Sequence, residues 1–389
     1  MRITLEVDTW EIEHRAATYG RMLARVCEGL AQRDLVVAFE LASTRATFAP
    51  RTSPDSGFRI AWHSIGEEPN VWRIKDAAIP GYYLFDRTGF SGWAEIGRYP
   101  RRFKPLIDRI DAMAARSFVG DLQRALVEGN ASKYPQSDRA FTPPGPFVFF
   151  PLQTLDDAVV ALQRLPTLDV LDRAAAIARK MRKHLVVKRH PHCLNESVAD
   201  AIARVTRGNE YVLHTEASVH SILRCCDAVL VANSGVGFEA LVHHRPVYTF
   251  GGSEYELVTQ KLETLEDVAS AFASSHEIDS DLVDRYLTYF LRQNCFSLEN
   301  VDGILSHLDA AMEEASRGRV ADADSGGDAS QFKLLETSAR LEQARRRVIA
   351  LEAKLAMSWL FRGRVSQLSV AGWRRIRRRW AIRRNDRLP

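Results

Sequence analysis

The sequence predicts an α/β protein of two domains followed by a helical tail, and three observations carry that prediction. Its 389 residues are too many for one ordinary domain and suit two of roughly 150 residues plus extensions. From residue 146 onward apolar strands alternate with amphipathic helices, the pattern of a parallel sheet with helices on both faces. Between the halves stands Pro143-Pro144-Gly145-Pro146, a run that ends regular structure.

Composition excludes several classes. With 46% apolar and 26% charged residues the chain is neither wholly disordered, nor collagenous, nor a multi-span membrane protein. No window approaches the roughly 18 to 20 uninterrupted apolar residues of a membrane span. The start, MRITLEVDTWEIEHR, carries acids where a signal peptide would be basic and then apolar, which predicts a cytoplasmic chain. Cys27, Cys193, Cys225, Cys226 and Cys295 are odd in number and form no CxxC, so reduced thiols are expected.

In the first domain, residues 1–145, helical spacing over Trp10 to Leu30 leads to a strand, LVVAFEL. Residues 46–100, rich in Gly, Pro and aromatics, read as irregular, and a helical region runs from Phe103 to Gly129. The second domain, 146–315, begins with strand FVFFPL and a mostly helical stretch from Leu155 to Lys180. HLVVK, YVLH, AVLVA and PVYTF read as its further strands, with helices over 196–206, SVHSILRCC and GVGFEALVHH between them.

Residues 316–331 form a polar, Gly-rich linker. Over 332–358, Leu334, Leu341, Val348 and Leu355 recur every seven residues, a short coiled-coil signal. The tail, 359–389, holds a strong charge. Ten of the 53 Lys and Arg lie between Phe361 and Pro389 against one of the 49 Asp and Glu, so that segment carries +9 and the remainder −5. On a helix Trp373, Ile376 and Trp380 share one face and arginines the rest, which suits an anionic membrane surface better than nucleic acid.

Ligands of an open parallel sheet bind outside the carboxyl ends of its strands. Three such ends carry polar residues: Gln153 with Asp157; Lys188-Arg189-His190-Pro191; and Asn233-Ser234-Gly235-Val236-Gly237, which runs straight into a helix. Small residues admit a ligand to the backbone, and free amides at a helix start favour phosphate. GVGFEA half-matches a dinucleotide fingerprint, but no acid closes PVYTF, which argues against a nicotinamide cofactor. No metal is expected either: the His190–His192 triplet lacks a third ligand at a helical offset, and the DAD of the linker mimics a metal-binding DxD without its setting.

Together FVFFPLQTLDD, LVVKRHP and CDAVLVANSGVGFEALVHHRPVYTFGGSEY resemble the capsule polysaccharide biosynthesis family of bacterial glycosyltransferases, as does SKY at 132–134, where Pro135 replaces the family's Asn. The resemblance implies a GT-B-like architecture, two Rossmann-like domains facing a cleft. It implies a peripheral transferase at the inner face of the cell membrane that moves Kdo or a related sugar from a CMP-activated donor to a glycan or lipid-linked acceptor. Transfer would retain configuration and need no cofactor or metal.

Carried over by motif, Lys188, His190, Pro191, Asn233, Ser234, Gly235 and Gly237 would bind the nucleotide. Gln153, Asp157, Lys133, Tyr134 and Glu239 would line the cleft. Asp86, in FDRTGFSGW, resembles the family's nucleophile, and Asp76, or Glu67, Glu68 or His63 from the preceding loop, would supply the acid/base. Here the family's Glu-Asp-Gly-Phe is Ile74-Lys75-Asp76-Ala77, a departure that leaves another nucleotide sugar, or an inactive scaffold, as alternatives. The coiled coil would form a homodimer or tether the chain to an assembly complex, and nucleic acid is not an expected partner.

Overall fold

The computed structural model describes residues 2–33, 35–42, 47–51, 57–273 and 277–317. The linker, coiled coil and basic tail expected beyond residue 317 lie outside the described residues.

Two six-stranded sheets organise the chain. The first gathers β1 (Arg2–Asp8), β2 (Val36–Ala42), β3 (Phe58–Trp62), β4 (Val71–Asp76), β5 (Tyr82–Asp86) and, from much later in the chain, β12 (Cys295–Ser297). Its order is β12-β5-β4-β3-β1-β2, parallel from β4 to β2, with β5 antiparallel to both β4 and β12. The second joins β6 (Phe147–Pro151), β7 (His184–Lys188), β8 (Val212–His214), β9 (Ala228–Val231), β10 (Val247–Thr249) and β11 (Gln260–Lys261) in the order β11-β10-β9-β6-β7-β8, parallel throughout.

The helices are α1 (Thr9–Arg15), α2 (Arg21–Ala31), α3 (Glu95–Arg98), α4 (Pro100–Asp108), α5 (Ala112–Glu128), α6 (Thr167–Met181), α7 (Glu196–Thr206), α8 (Val219–Leu223), α9 (Gly235–Val242), α10 (Ser280–Tyr289) and α11 (Val301–Arg317). Strands β6 to β10 and helices α6, α7 and α9 fall where periodicity put them, whereas α8 is shorter than SVHSILRCC, and β11 and α10 were not expected. The second sheet buries both faces, so Phe147 to Phe150 and Ala228 to Val231 are continuous apolar runs.

Residues 46–100 differ from the expectation of irregular structure, because they contribute three central strands. Arg59 and Arg73 interrupt their apolar pattern, yet both are buried, Arg59 against Glu6 at 3.1 Å and Arg73 against Glu68. A paired arginine occupies a core position that pattern reading assigns to solvent. The stretch Trp10 to Leu30 is also not one helix, since a π segment, Ala16–Gly20, separates α1 from α2.

The domain boundary at 315 shifts as well. Phe296, Leu298, Ile304, Leu308 and Ala311 belong to the first core, with Ile3, Leu5, Met22 and Val26. β12 and α11 therefore return to the first sheet, whereas the sequence reading gave them to the second domain.

Candidate active site

The carboxyl ends of the parallel strands of both sheets line one cleft of about 1140 Å³. In the second sheet the chain leaves β6 toward β7 on one side and β9 on the other, and such a switch in strand order opens a crevice. Gln153 follows β6 and Asn233 follows β9. Across the switch, Gln153 Nε2 donates to Asn233 Oδ1 at 2.6 Å.

Asn233 Nδ2 donates to the carbonyls of Val159 (2.9 Å) and Gly252 (3.1 Å). Its amide thus fixes the loops around the cleft, which Asn233 itself lines. Ser234 caps α9, accepting from Val236 N at 3.3 Å, and its carbonyl accepts from the buried Tyr255 hydroxyl at 2.6 Å. Gly237 lies behind the cleft. A Cβ there would stand 2.5 Å from the Tyr255 hydroxyl, so this glycine admits the tyrosine. Ser234 and Gly235 do line the cleft, at the amide end of α9.

Lys188, His190 and Pro191 line the cleft at the end of β7. The His192 amide donates to His190 Nδ1 at 3.1 Å, so in the neutral ring the proton sits on Nε2, a donor. Burial, then the neighbouring His192, lowers the His190 pKa to about 4, so the ring is neutral near pH 7. Tyr134 packs against it with ring centroids 4.9 Å apart. Lys188 is lowered by burial, against the opposing pull of Glu216 at 3.9 Å. Asp157 caps the turn beyond Gln153 and also lines the cleft.

Lys133 and Tyr134 reach the cleft because their segment is tied to the second domain. His220 donates from Nε2 to the Ala131 carbonyl (2.7 Å), Ser218 Oγ donates to Asn130 Oδ1 (2.6 Å), and the Val219 amide donates to Gln136 Oε1 (3.0 Å). Lys133 Nζ then meets Asp76 Oδ2 at 2.7 Å. Arg15 (3.3 Å) and Lys75 complete a ring of three cations around that carboxylate. Burial opposes ionisation of Asp76, but Lys133, Lys75 and Arg15 outweigh it and hold the group well below the usual range. Asp76 therefore stays ionised and has no proton to give, contrary to the acid/base role expected of it.

Asp86 is not among the residues lining the cleft. β5 runs antiparallel to β4, with Asp86 opposite Arg73 and Tyr83 opposite Asp76. Three residues of strand put Asp86 about 10 Å toward the opposite end of the strands, away from the carboxyl end of β4. Its Oδ1 accepts from the amides of Thr88 (2.7 Å) and Gly89 (3.0 Å), and its Oδ2 from the Glu95 amide (3.0 Å). Burial, then Glu95, raises it to about 6. It closes a turn, outside the cleft lining where the motif's nucleophile is expected.

Two cleft-lining carboxyls are shifted the other way, upward, by burial. Glu239, on α9, is 2% exposed; burial raises it to about 7 against the pull of a Ser132 hydrogen bond and Lys133, and its Oε1 has no hydrogen-bond partner among the described residues. Glu254 is likewise raised by burial, against a Ser91 hydrogen bond, and its Oε2 has no hydrogen-bond partner among the described residues. The sequence reading assigned Glu239 only to the cleft and missed Glu254. It also missed Trp10, Glu11, His14 and Arg15 of α1, all cleft-lining; the signal was the strand end at Asp8 opening into a helix. Among the described residues no group of three or more His, Cys, Asp or Glu is arranged to hold a metal, and no helix is long and apolar enough to cross a membrane. All five cysteines are free.

A comparison with curated proteins finds no match. Among solved structures, the chain is similar to the Thermosulfurimonas dismutans KpsC β-Kdo 2,4-transferase, with 15% identity, 78% of this chain and 97% of that one covered, and a TM-score of 0.46. The β-Kdo 2,7-transferase of the same KpsC gives 15%, 80%, 99% and 0.46. UDP-GlcNAc 2-epimerase from Neisseria meningitidis, bound to UDP-GlcNAc, gives 11%, 80%, 100% and 0.34. Residues 121–295, which carry the second sheet, the SKY segment and all three strand-end motifs, match the family model described as capsule polysaccharide biosynthesis protein. The similarity to that family is confined to residues 121–295 of the 389.

Proposed function

We propose that the protein is a glycosyltransferase of capsular or surface polysaccharide assembly, built on the GT-B plan and using a CMP-activated donor, CMP-Kdo or a related CMP-ulosonic acid. One observation carries the reading: the strand-end motifs Gln153–Asp157, Lys188–Pro191 and Ser234–Gly235 converge on a single cleft that also holds one carboxyl kept low in pKa by cations and two raised by burial. The amide end of α9 and Lys188 favour a nucleotide phosphate, and His190 offers an uncharged Nε2–H to an oxygen of the donor.

Catalysis of glycosyl transfer asks for one carboxylate that stays ionised beside the forming cation and one carboxyl able to exchange a proton. Asp76 fits the first role, and Glu239 or Glu254 the second, all three in the field of Lys133. That assignment replaces the Asp86/Asp76 pair and is compatible with transfer by retention. The acceptor is a glycan or lipid-linked glycan, which the basic tail would meet at an anionic membrane surface.

The test is nucleotide release from CMP-Kdo, in parallel with UDP-GlcNAc and GDP-mannose, in the wild type and Asp76→Asn. CMP release lost in Asp76→Asn supports the reading. Release from a UDP or GDP sugar alone keeps the transferase and discards the donor. A second reading, an inactive scaffold, is favoured by Lys75-Asp76-Ala77 and by the placement of Asp86, and predicts CMP bound without any release.

A further inference from the structure

The first-domain wall of the cleft carries a feature that nucleotide binding does not use. α1 turns four residues toward the cleft in two ridges, Trp10 with His14 and Glu11 with Arg15, each pair one helical turn apart. Trp10 is 53% exposed, yet its ring is held: it stacks on His14 with centroids 4.5 Å apart and planes 16° from parallel. His14 Nδ1 in turn donates to the Trp10 carbonyl at 2.9 Å, which fixes the lower ring and leaves Nε2 outward. Glu11 is buried and accepts from Arg15 at 3.1 Å, and Arg15 reaches Asp76. The π segment Ala16–Gly20 ends α1 just where the cleft wall gives way to the core-facing α2, and such irregular turns frequently mark functional sites.

A large aromatic face held rigid and half exposed in a cleft wall is preorganised for a ligand to cover. A sugar ring is the complementary shape. Its apolar C–H face lies flat on an indole while its hydroxyls extend sideways to charged and carboxyl groups, which here are Glu11, Arg15 and Asp76. The donor sugar is tied to its nucleotide on the second-sheet wall, so the ring left for the α1 wall is the one that receives the transfer. We infer that the Trp10–His14 ledge is the binding subsite for a pyranose ring of the acceptor. The inference rests on the transferase reading for the word acceptor, but the ledge itself can be tested without it.

The probes are methyl glycosides of a neutral hexose, an N-acetylhexosamine and Kdo, titrated by saturation-transfer difference NMR against the full chain, Trp10→Ala and Trp10→Phe. CMP binding and the thermal midpoint are measured on the same samples. The expected result is that at least one glycoside binds the wild type and weakens about tenfold, or about 1.4 kcal/mol, in Trp10→Ala. Trp10→Phe should retain most of the affinity, and CMP binding should not move in either variant. Glycoside affinity equal in wild type and Trp10→Ala would overturn the inference. So would the absence of binding by all three probes, or preferential binding of the alkyl chain of decyl maltoside over its sugar. If glycosides bind through Trp10 while CMP does not bind at all, the transferase reading fails and the ledge stands as a sugar site.

Discussion

Glu239→Gln should make the protein more stable at pH 8 while impairing transfer. The carboxyl is 2% exposed, Ser132 hydrogen-bonds it, and its Oε1 faces no partner among the described residues. Its pKa rises from an ordinary 4.5 to about 7 because burial penalises the charged form. Between those values the folded state holds a proton that the unfolded state has released, so stability falls as pH rises, by about 1.4 kcal/mol per pH unit. Above pH 7 the full penalty, roughly 3 kcal/mol, is in place. Glutamine keeps an acceptor for Ser132 and cannot ionise, but its unsatisfied amide costs about 1 kcal/mol. The variant should therefore gain about 2 kcal/mol at pH 8, a rise of about 4 °C in thermal midpoint, and lose slightly at pH 5. Thermal unfolding of both proteins in matched buffers from pH 5 to 8 reads this, since other titrating groups cancel in the difference. A difference that stays constant with pH would refute the argument that Glu239 is a buried, proton-holding carboxyl.

Three further outcomes follow from the geometry. Asp86→Ala strands the Thr88, Gly89 and Glu95 amides and should cost about 3 kcal/mol in denaturant unfolding, yet leave CMP affinity intact in protein kept folded at low temperature; loss of CMP binding in a folded variant would return Asp86 to the site. Gly237→Ala puts a methyl 2.5 Å from the buried Tyr255 hydroxyl and should cost about 1–3 kcal/mol while weakening CMP binding through the displaced Ser234 carbonyl, both readable in one thermal titration. Lys133→Met removes one of three cations from Asp76 and should lower stability by about 2 kcal/mol at pH 7, less than loss of a sole partner, with Arg15 and Lys75 remaining; urea unfolding measures it.

The second sheet and its motifs were legible because a parallel strand buried on both faces leaves an uninterrupted apolar run, and the residues just past it are where a ligand must sit. Gln153, His190 and Ser234 follow from that rule alone. The first sheet was obscured by arginines at positions 59 and 73, which pattern reading assigns to solvent although each is buried against a carboxylate, Glu6 for Arg59 and Glu68 for Arg73. Asp86 was misplaced for a different reason: a motif gives the spacing of residues but not the direction of the strand, and an antiparallel β5 carries its end away from the cleft. Asn233 looked free because its partners, Val159 and Gly252, are brought to it only by the fold. Glu11 and Arg15 were hidden in what looked like one continuous helix, since the π segment that ends α1 has no distinctive composition.

The most direct test of the nucleotide-sugar cleft is calorimetric titration of CMP, and of UDP for contrast, into the full chain and its His190→Ala variant. The account predicts one CMP site per chain, preferred over UDP, and at least a tenfold loss of affinity, about 1.4 kcal/mol, when the Nε2–H donor is removed. Heat of binding that is absent for every nucleotide, or unchanged by His190→Ala, would contradict it.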